Sequence, residues 1–293
     1  MTASFPKVSR RDFLKTAAAA AAVAPFALRP ATLLAVDKDP YAGFKMAIQS
    51  YSLRGYKDPK VALEHTKALG LKYWESFPAH VPMSSVPKTI ADQKEMLKAA
   101  GVEMLGYGVL GFDANESNAR QAFEFAKAIG IVSLSANPKK EKATFDLLDK
   151  LVEEYDVAIA IHNHGPNALY DKIADVEQMV KDRHPKIGAC VDTGHYLRSD
   201  EDPVEAVERL GKRVFGVHLK DVKTLNNNGK REKKFTVAGE GDLKVLELLK
   251  ALRKLNYQYL VALEYEESPQ NPLAEIEDCL RHVRAEAAKL PPS

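Results

Sequence analysis

Residues 131–164, IVSLSANPKKEKATFDLLDKLVEEYDVAIAIHNH, decide the fold. An apolar run at 131–137 is followed by an amphipathic helical pattern from Ala143 to Tyr155, and then by a second apolar run at 157–164. A helical pattern between two short apolar runs is typical of a βαβ unit, in which the two strands are parallel. This stretch therefore predicts a parallel sheet covered by helices.

The same alternation continues along the chain from Phe44 onward. The predicted strands are 44–53, 72–77, 103–110, 131–137, 157–164, 187–195, 214–221 and 259–266. The predicted helices include Val61–Leu69, Thr89–Ala100, Ala114–Ile129, Ala143–Tyr155 and Val204–Leu210. Several are followed by a glycine that commonly ends a helix, namely Gly70, Gly101, Gly130 or Gly211.

Eight strand and helix units in about 250 residues predict the α/β class and, within it, a (β/α)8 TIM barrel. A doubly wound open sheet is the main alternative, but it would have fewer strands and a glycine-rich first turn. The first strand instead ends in the sequence Gln49-Ser50-Tyr51-Ser52-Leu53-Arg54. The longest stretch without periodicity is 222–242, and it predicts a loop whose basic cluster, Lys230–Lys234, is solvated rather than substrate-binding.

The amino terminus reads Ser9-Arg10-Arg11-Asp12-Phe13-Leu14-Lys15, followed by an alanine-rich run at 16–28. This is the twin-arginine export pattern, and the apolar run is too short to span a bilayer. We therefore predict a signal peptide at 1–35 and a mature protein in the periplasm or outside the cell. The barrel domain is predicted at 41–290, beginning near Tyr41.

Composition and charge restrict the class of partner. The chain is 45% apolar and 28% charged, which is typical of a folded globular protein. The net charge is +2, but the predicted signal peptide contributes +4 and the remainder carries −2. Such a surface gives no basic footprint for nucleic acid or an anionic membrane, so we expect a small-molecule substrate. A homo-oligomer is compatible with the sequence, and Cys190 and Cys279 are predicted to be buried free thiols.

Polar groups cluster where the predicted strands end, which in a TIM barrel is the face that carries the chemistry. Five histidines lie at or just beyond strand ends: His80, His162, His164, His195 and His218. The last four strands end in Ile161-His162-Asn163-His164-Gly165, Val191-Asp192-Thr193-Gly194-His195, Val217-His218-Leu219-Lys220-Asp221 and Ala262-Leu263-Glu264-Tyr265-Glu266.

Charged groups in a barrel mouth are costly unless they pair with one another or coordinate a cation. One divalent metal ion that takes a ligand from each of these four strand ends would satisfy them together. A mixed set of imidazoles and carboxylates suits manganese, cobalt, zinc or iron better than calcium.

At these residues the sequence resembles the xylose isomerase-like TIM barrel superfamily, whose sugar phosphate isomerase/epimerase group includes ketose 3-epimerases and inosose dehydratases. The resemblance runs from Phe44 to about Leu290. It implies that the metal ligands are His162, Asp192, His218 and Glu264. Gly239-Glu240-Gly241-Asp242 also resembles a G-E-G stretch of the family, and we therefore expect Glu240 to bind substrate.

One position departs from the family pattern, because His162 stands where the family has a glutamate. In the epimerases of the family two metal-bound glutamates exchange protons with opposite faces of the substrate carbon. Loss of one argues against a symmetric epimerase and favours a lyase, a dehydratase or an isomerase with one base. Histidine remains able to coordinate a metal.

Further site candidates follow the second, sixth and seventh strands. Trp74, Glu75 and His80 are expected to bind substrate, although core packing explains Trp74 equally well. His195 and Lys220 lie two residues beyond Asp192 and His218, which in a strand puts them on the same side. They are expected to bind substrate hydroxyls, polarise a carbonyl or transfer a proton.

The function expected first is a metal-dependent sugar isomerase or epimerase that works through an enediolate. Glu264 is the expected base, and His162 or His164 the complementary acid or second base. The alternative is a lyase or dehydratase of keto-sugars or keto-glycosides that uses the same metal. A non-catalytic alternative is an exported sugar-binding barrel. A phosphodiesterase of the endonuclease IV type would need three zinc ions and a basic groove, which the sequence does not support.

Overall fold

The computed structural model describes residues 39–291, so the predicted signal peptide lies outside the described residues. The strands are β1 Lys45–Gln49, β2 Tyr73–Ser76, β3 Glu103–Phe112, β4 Ser133–Pro138, β5 Ala158–His162, β6 Ile187–Asp192, β7 Val214–Leu219, β8 Asp221–Asn227, β9 Lys230–Thr236 and β10 Leu260–Leu263. The helices are α1 Pro59–Ala68, α2 Pro87–Ala100, α3 Glu116–Ile129, α4 Lys142–Tyr155, α5 Ile173–Val180, α6 Thr193–Arg198, α7 Pro203–Leu210, α8 Val245–Lys254 and α9 Leu273–Ala287.

Eight parallel strands close into a barrel in the order β1-β10-β7-β6-β5-β4-β3-β2, with helices between them, which confirms the predicted (β/α)8 fold. Helix α4 shows why the pattern could be read from the sequence. Phe145, Leu148, Leu151 and Val152 recur at helical spacing and are all buried against the barrel. Each such side chain stabilises the fold by about 1.5–3 kcal/mol relative to exposure.

The register of the strands places the polar residues at the strand ends at the same height along the barrel axis. Asp192 of β6 pairs with His218 of β7, and His162 of β5 pairs with Cys190 of β6. Glu264 follows the last residue of β10 directly. Because all the barrel strands are parallel, these ends share the same rim.

Two expectations about the chain after β6 and β7 are wrong. The strand predicted at 187–195 ends at Asp192, because that residue caps helix α6. The loop predicted at 222–242 contains an antiparallel hairpin, β8 paired with β9. Its turn is Asn228-Gly229, both with positive φ (49° and 82°), the conformation that an Asn-Gly hairpin turn requires.

Cys190 and Cys279 are both buried and free, as predicted. Among the described residues, no helix combines the length and hydropathy needed to cross a membrane.

Candidate metal centre

Four buried side chains converge at the carboxyl ends of the barrel strands: His162, Asp192, His218 and Glu264. One candidate ligand atom from each lies within 4.8 Å of all the others. His162 Nε2 is 3.3 Å from Asp192 Oδ2, and His218 Nδ1 is 3.1 Å from Glu264 Oε2. This group could hold a metal ion.

Asp192 is oriented by the helix that it caps. Its Oδ1 accepts a hydrogen bond from the backbone N–H of His195 at 2.8 Å, as the N-cap of α6. Its own backbone N–H donates to Asn163 Oδ1 at 2.8 Å. The cap occupies one oxygen, so Oδ2 is the one that faces the cluster.

His218 is oriented by Glu75. Its Nε2 lies 2.9 Å from Glu75 Oε1, and since a carboxylate only accepts, Nε2 carries the proton. In a neutral ring Nδ1 therefore keeps its lone pair, the usual arrangement of a metal-bound histidine backed by a carboxylate. Burial lowers the pKa of His218, but Cys190, Glu75 and Glu264 outweigh burial and raise it well above its usual value. The surroundings thus favour a positive charge at this ring, which either a proton or a bound metal cation would supply.

His218 Nδ1 is buried without a hydrogen-bond partner, and Glu264 Oε2 makes no hydrogen bond of regular geometry, although the Lys220 ammonium lies 2.9 Å from it. They face each other at 3.1 Å. A neutral Nδ1 and a carboxylate oxygen both present lone pairs, so a cation bound to both would satisfy them. The donor set therefore fits a divalent ion.

Lys220 lies beside the same carboxylates. Its Nζ is 3.1 Å from Asp192 Oδ2 and 2.9 Å from Glu264 Oε2, and it also contacts Glu266 Oε1. Burial lowers the pKa of Lys220, but Asp192, Glu264 and Glu266 outweigh burial and raise it above its usual value. Gly194 leaves room for this side chain, because a Cβ there would lie 2.7–2.9 Å from the Lys220 stem.

His195 is buried next to Lys220. Its Nδ1 is 3.1 Å from Arg198 Nη1, and its Nε2 is 3.5 Å from Lys220 Nζ. Burial, reinforced by nearby cationic groups, lowers the pKa of His195 to about 3 although Asp192 opposes this, so the ring is neutral. His164 is exposed, and its ring centroid lies 3.8 Å from that of His195.

A cavity of about 330 Å³ lies beside this group at the barrel mouth. Its polar lining includes His162, His164, His195, Lys220, Glu264 and Glu266. Its apolar lining includes Tyr51, Phe77, Pro78 and Val109. The volume lies in the range of small-molecule sites.

Four of the residues expected to bind substrate lie away from this lining, namely Trp74, Glu75, His80 and Glu240. Trp74 is fully buried and stacked on His80, whose Nε2 is 2.8 Å from the backbone oxygen of Tyr56. Glu75 is buried against His218. Glu240 is exposed, in the loop after the hairpin. Substrate contact by these residues stays a prediction that their positions do not favour.

Sequence reasoning missed several residues of the site. Gln49 lines the cavity and donates to Glu75 at 3.0 Å, and Tyr51 forms part of the apolar wall. Arg198 and Phe235 contact His195. Gln49 is the last residue of β1 and Tyr51 lies two residues beyond it, so both could have been found by their position at a strand end. Arg198 and Phe235 could not, because one depends on the short helix α6 and the other on the hairpin.

Asp221 holds the loop that contains the G-E-G stretch. Its carboxylate accepts from the backbone N–H groups of Val222, Gly239, Gly241 and Leu243 at 2.7–3.0 Å. Gly241 is required for this approach, because a Cβ there would lie 2.3 Å from Asp221 Oδ1. Asp221, the acid that follows Lys220, is thus tied to the backbone rather than to the candidate metal ligands.

We expect Asp221→Asn to destabilise the fold by about 2–3 kcal/mol, because its amide nitrogen would face two backbone N–H donors in place of an acceptor. Chemical denaturation measures this. The control is Asp242→Asn. Within the part of the chain that the structure describes, its exposed carboxylate accepts only from Thr224, so this substitution should cost less than about 1 kcal/mol. Equal costs for the two variants would contradict the assigned role.

The fold and the site define a class of protein, a (β/α)8 barrel with a mixed histidine and carboxylate group at the mouth of its cavity. The chain belongs to the xylose isomerase-like TIM barrel family, since the sequence model of that family matches residues 63–286.

Curated relatives include inosose dehydratases from several bacteria. That of Mesomycoplasma hyopneumoniae (strain J) is 25% identical over 232 residues, 66% of this chain and 77% of the relative. That of Clostridium perfringens (strain ATCC 13124) is 23% identical over 265 residues, 78% of this chain and 85% of the relative. Among solved structures, the IOLI protein with a bound zinc atom has a TM-score of 0.66 and 18% identity, covering 84% of this chain and 99% of its own. At that identity the likeness concerns the fold alone.

The amino terminus matches the model of the twin-arginine translocation signal sequence at residues 7–24. The protein is therefore exported by this pathway to the periplasm or beyond. The boundaries 1–35 and 41–290 stay predictions.

Replacing Arg10 and Arg11 together by lysine should retain the protein in the cytoplasm, because the pathway recognises the arginine pair. Cell fractionation followed by immunoblotting measures the distribution. Arg29→Lys, which changes an arginine outside the pair, should leave export unchanged. Normal export of the double variant would contradict the assignment.

Proposed function

We propose that this protein is an exported, metal-dependent lyase that removes water from a keto-sugar or a cyclic keto-polyol. The observation that carries the proposal is the buried group His162, Asp192, His218 and Glu264 next to a charged ammonium and a neutral imidazole. The names of the curated relatives favour this reaction over the isomerisation that the sequence analysis placed first.

The proposed ligands of one divalent ion are His162, Asp192, His218 and Glu264. Manganese, cobalt, zinc and iron all accept two imidazoles and two carboxylates. When bound, the ion supplies Lewis acidity toward a carbonyl oxygen and thereby lowers the barrier to removing the neighbouring C–H proton.

The protein residues supply proton transfer and positioning. Glu264, which lines the cavity, is the proposed base that takes the C–H proton next to the ketone. The electron pair of that C–H bond forms a C=C bond as the C–O bond to the neighbouring hydroxyl breaks. His164, exposed at the mouth, is the proposed acid that delivers a proton to the leaving hydroxide, which departs as water. Glu264 then releases its proton to solvent, and the His164 ring regains one from solvent.

Isomerisation would begin with the same proton removal and would return the proton to a neighbouring carbon. The two reactions therefore differ in mass balance, which makes them easy to separate. An inactive sugar-binding barrel is disfavoured, since such a protein has no need to retain a buried set of candidate ligands with a charged lysine.

The test begins with metal analysis of the exported protein. The metal is then removed with a chelator, and separate samples are loaded with manganese, cobalt, zinc or iron. Each sample is incubated with cyclic keto-polyols, keto-sugars and keto-glycosides, and the masses of the products are measured by mass spectrometry. We expect a product lighter by one water that depends on the metal. A product of unchanged mass would indicate isomerisation and contradict the proposed dehydration. The absence of any product would also contradict it.

A further inference from the structure

We propose that Arg198 binds a carboxylate of the substrate at the rim of the cavity, so that the natural substrate is an acidic keto-sugar or keto-glycoside rather than a neutral one. The inference rests on the proposed function and names its substrate class. The observation that carries it is a guanidinium held in place at the barrel mouth without an anionic partner among the described residues.

Arg198 differs from the other arginines in what it contacts. In residues 39–291 it alone has no oxygen atom as a hydrogen-bond or ion-pair partner, and its one hydrogen bond runs from Nη1 to His195 Nδ1 at 3.1 Å. A guanidinium has several N–H donors, so most of those of Arg198 remain available to a ligand. The other arginines contact carboxylates (Arg120, Arg183, Arg209, Arg231 and Arg281) or backbone and hydroxyl oxygens (Arg54, Arg213, Arg253 and Arg284).

The acidic residues that follow Arg198 in the sequence are paired with other cations. Asp200 Oδ1 lies 2.5 Å from Lys233 Nζ, and Glu201 Oε1 lies 3.6 Å from Lys172 Nζ. These lysines therefore neutralise the carboxylates that could otherwise have paired with Arg198.

The position of Arg198 relative to the candidate metal ligands decides where the bound carboxylate would lie. His195 lines the cavity and is buried, whereas Arg198 beyond it is half-buried. The Nε2 atom of His195 lies 3.9 Å from Asp192 Oδ2, and its Nδ1 atom faces Arg198. An imidazole ring thus separates the guanidinium from the candidate ligands. The carboxylate must therefore belong to a substituent outside the reacting carbons, such as the exocyclic carbon of a uronic acid.

Arg198 is held in place before a ligand arrives. Its guanidinium carbon lies 5.3 Å from the centre of the Phe235 ring, and a cation is attracted to an aromatic face. Lys233 of the hairpin contacts the backbone oxygen of Leu197, so the strand that carries Phe235 is fixed to α6. A side chain that is already ordered loses little rotamer freedom when it binds a ligand.

The number of available cations favours a carboxylate over a phosphate. A guanidinium can bind both oxygens of a carboxylate through two parallel hydrogen bonds, and its charge balances that of the anion. A phosphate group carries about two negative charges and would need a second cation. Lys220 does not provide one, because its ammonium already faces three carboxylates.

The experiment compares matched substrates. The metal-loaded protein receives pairs of keto-glycosides that differ only at the exocyclic carbon, which is a hydroxymethyl group in one member and a carboxylate in the other. We expect kcat/KM to be about 10- to 100-fold higher for the acid, as is typical of hydrogen bonds to a charged group. Arg198→Met should bring this ratio close to one, and Arg198→Lys, which keeps the charge without the planar fork, should retain part of it. A loss caused by the altered contact with His195 is common to both members, so the ratio isolates the contact with the carboxylate.

The control is Arg281→Met, which changes an exposed arginine that, among the described residues, contacts only Asp278. It should leave the ratio unchanged. Equal kcat/KM for the two members in the wild type would overturn the proposal. A preference for the acid that persists in Arg198→Met would place the carboxylate on the metal ion instead. A third member of the series, with a phosphate at the same carbon, tests the choice of anion, and its preference over the acid would contradict a carboxylate.

A binding measurement separates failure of this inference from failure of the proposed function. The metal-loaded protein is titrated calorimetrically with the methyl glycosides of a hexuronate and of the corresponding hexose, neither of which has a ketone. We expect the hexuronoside to bind more tightly and to lose this advantage in Arg198→Met. If this difference is found but no ketone is dehydrated, the proposed reaction is wrong and the carboxylate site stands. If ketones are dehydrated but the hexuronoside binds no better than the hexoside, the reaction stands and the carboxylate site is wrong.

Discussion

Asp192→Ala is expected to abolish metal binding and dehydration together. The substitution removes a buried carboxylate whose Oδ2 faces His162, His218 and Lys220. Metal affinity should fall by more than about 10²-fold, because even the loss of a group that only supports a ligand costs 10- to 100-fold. Isothermal titration with zinc and elemental analysis measure this.

The same substitution should also destabilise the metal-free protein. It removes the cap of α6 and one of the three carboxylates around Lys220. Breaking a buried ion pair costs about 3–5 kcal/mol, and the low end applies because Glu264 and Glu266 remain. A loss of about 3 kcal/mol corresponds to a Tm lower by about 6–12 °C in a domain of this size.

The control for both measurements is Asp92→Ala. Asp92 is an exposed aspartate of α2 that, among the described residues, pairs only with Lys88. It should change neither metal affinity nor Tm measurably, as is usual for exposed pairs. Wild-type metal content in Asp192→Ala would mean that the ion, where one binds, is held by other residues.

The barrel could be predicted from the sequence because its signals are local. Helices such as α2 and α3 are amphipathic and end at Gly101 and Gly130, both with positive φ, and their predicted limits agree with the structure to within two residues. The hairpin was missed because its β8 strand is mostly polar and its β9 strand is rich in lysine, so no apolar alternation marks it. The Asn-Gly turn was the available signal.

The candidate site was predictable only in part, for a related reason. Strand ends of a parallel barrel must meet, so residues that follow apolar runs, such as Asp192 and Glu264, could be grouped without coordinates. The direction in which a side chain points after the strand ends could not be inferred. Trp74 therefore turned out to lie in the core, and Phe235, from a segment with no barrel strand, turned out to contact the site.

His162 is the position at which this chain departs from its family. Its Nε2 lies 3.3 Å from Asp192 Oδ2, and its ring lies 4.9 Å from that of His218. A neutral imidazole in place of a glutamate leaves two carboxylates, Asp192 and Glu264, in the proposed ligand set. The two negative charges then balance the 2+ charge of the ion, whereas a third carboxylate would exceed it. An ion that receives less electron density from its ligands is the stronger Lewis acid.

We expect His162→Ala to lose most of its metal and its activity, because it removes one of the four proposed ligands. His162→Glu should retain the metal, since a carboxylate is also a ligand, but should alter the reaction instead of abolishing it. The added negative charge weakens the Lewis acid and supplies a second carboxylate base. Return of the proton can then compete with loss of hydroxide, and a product of unchanged mass should appear beside the dehydrated one.

The control is His164→Ala, which changes the neighbouring exposed histidine, whose ring centroid is 6.2 Å from that of His162. It should retain the metal and lose only turnover, in keeping with its proposed role as acid. Elemental analysis and product mass, measured on all three variants with the best substrate, separate the possibilities. If His162→Ala keeps wild-type metal and turnover, position 162 is structural, and a loss of metal in His164→Ala would make His164 the fourth ligand.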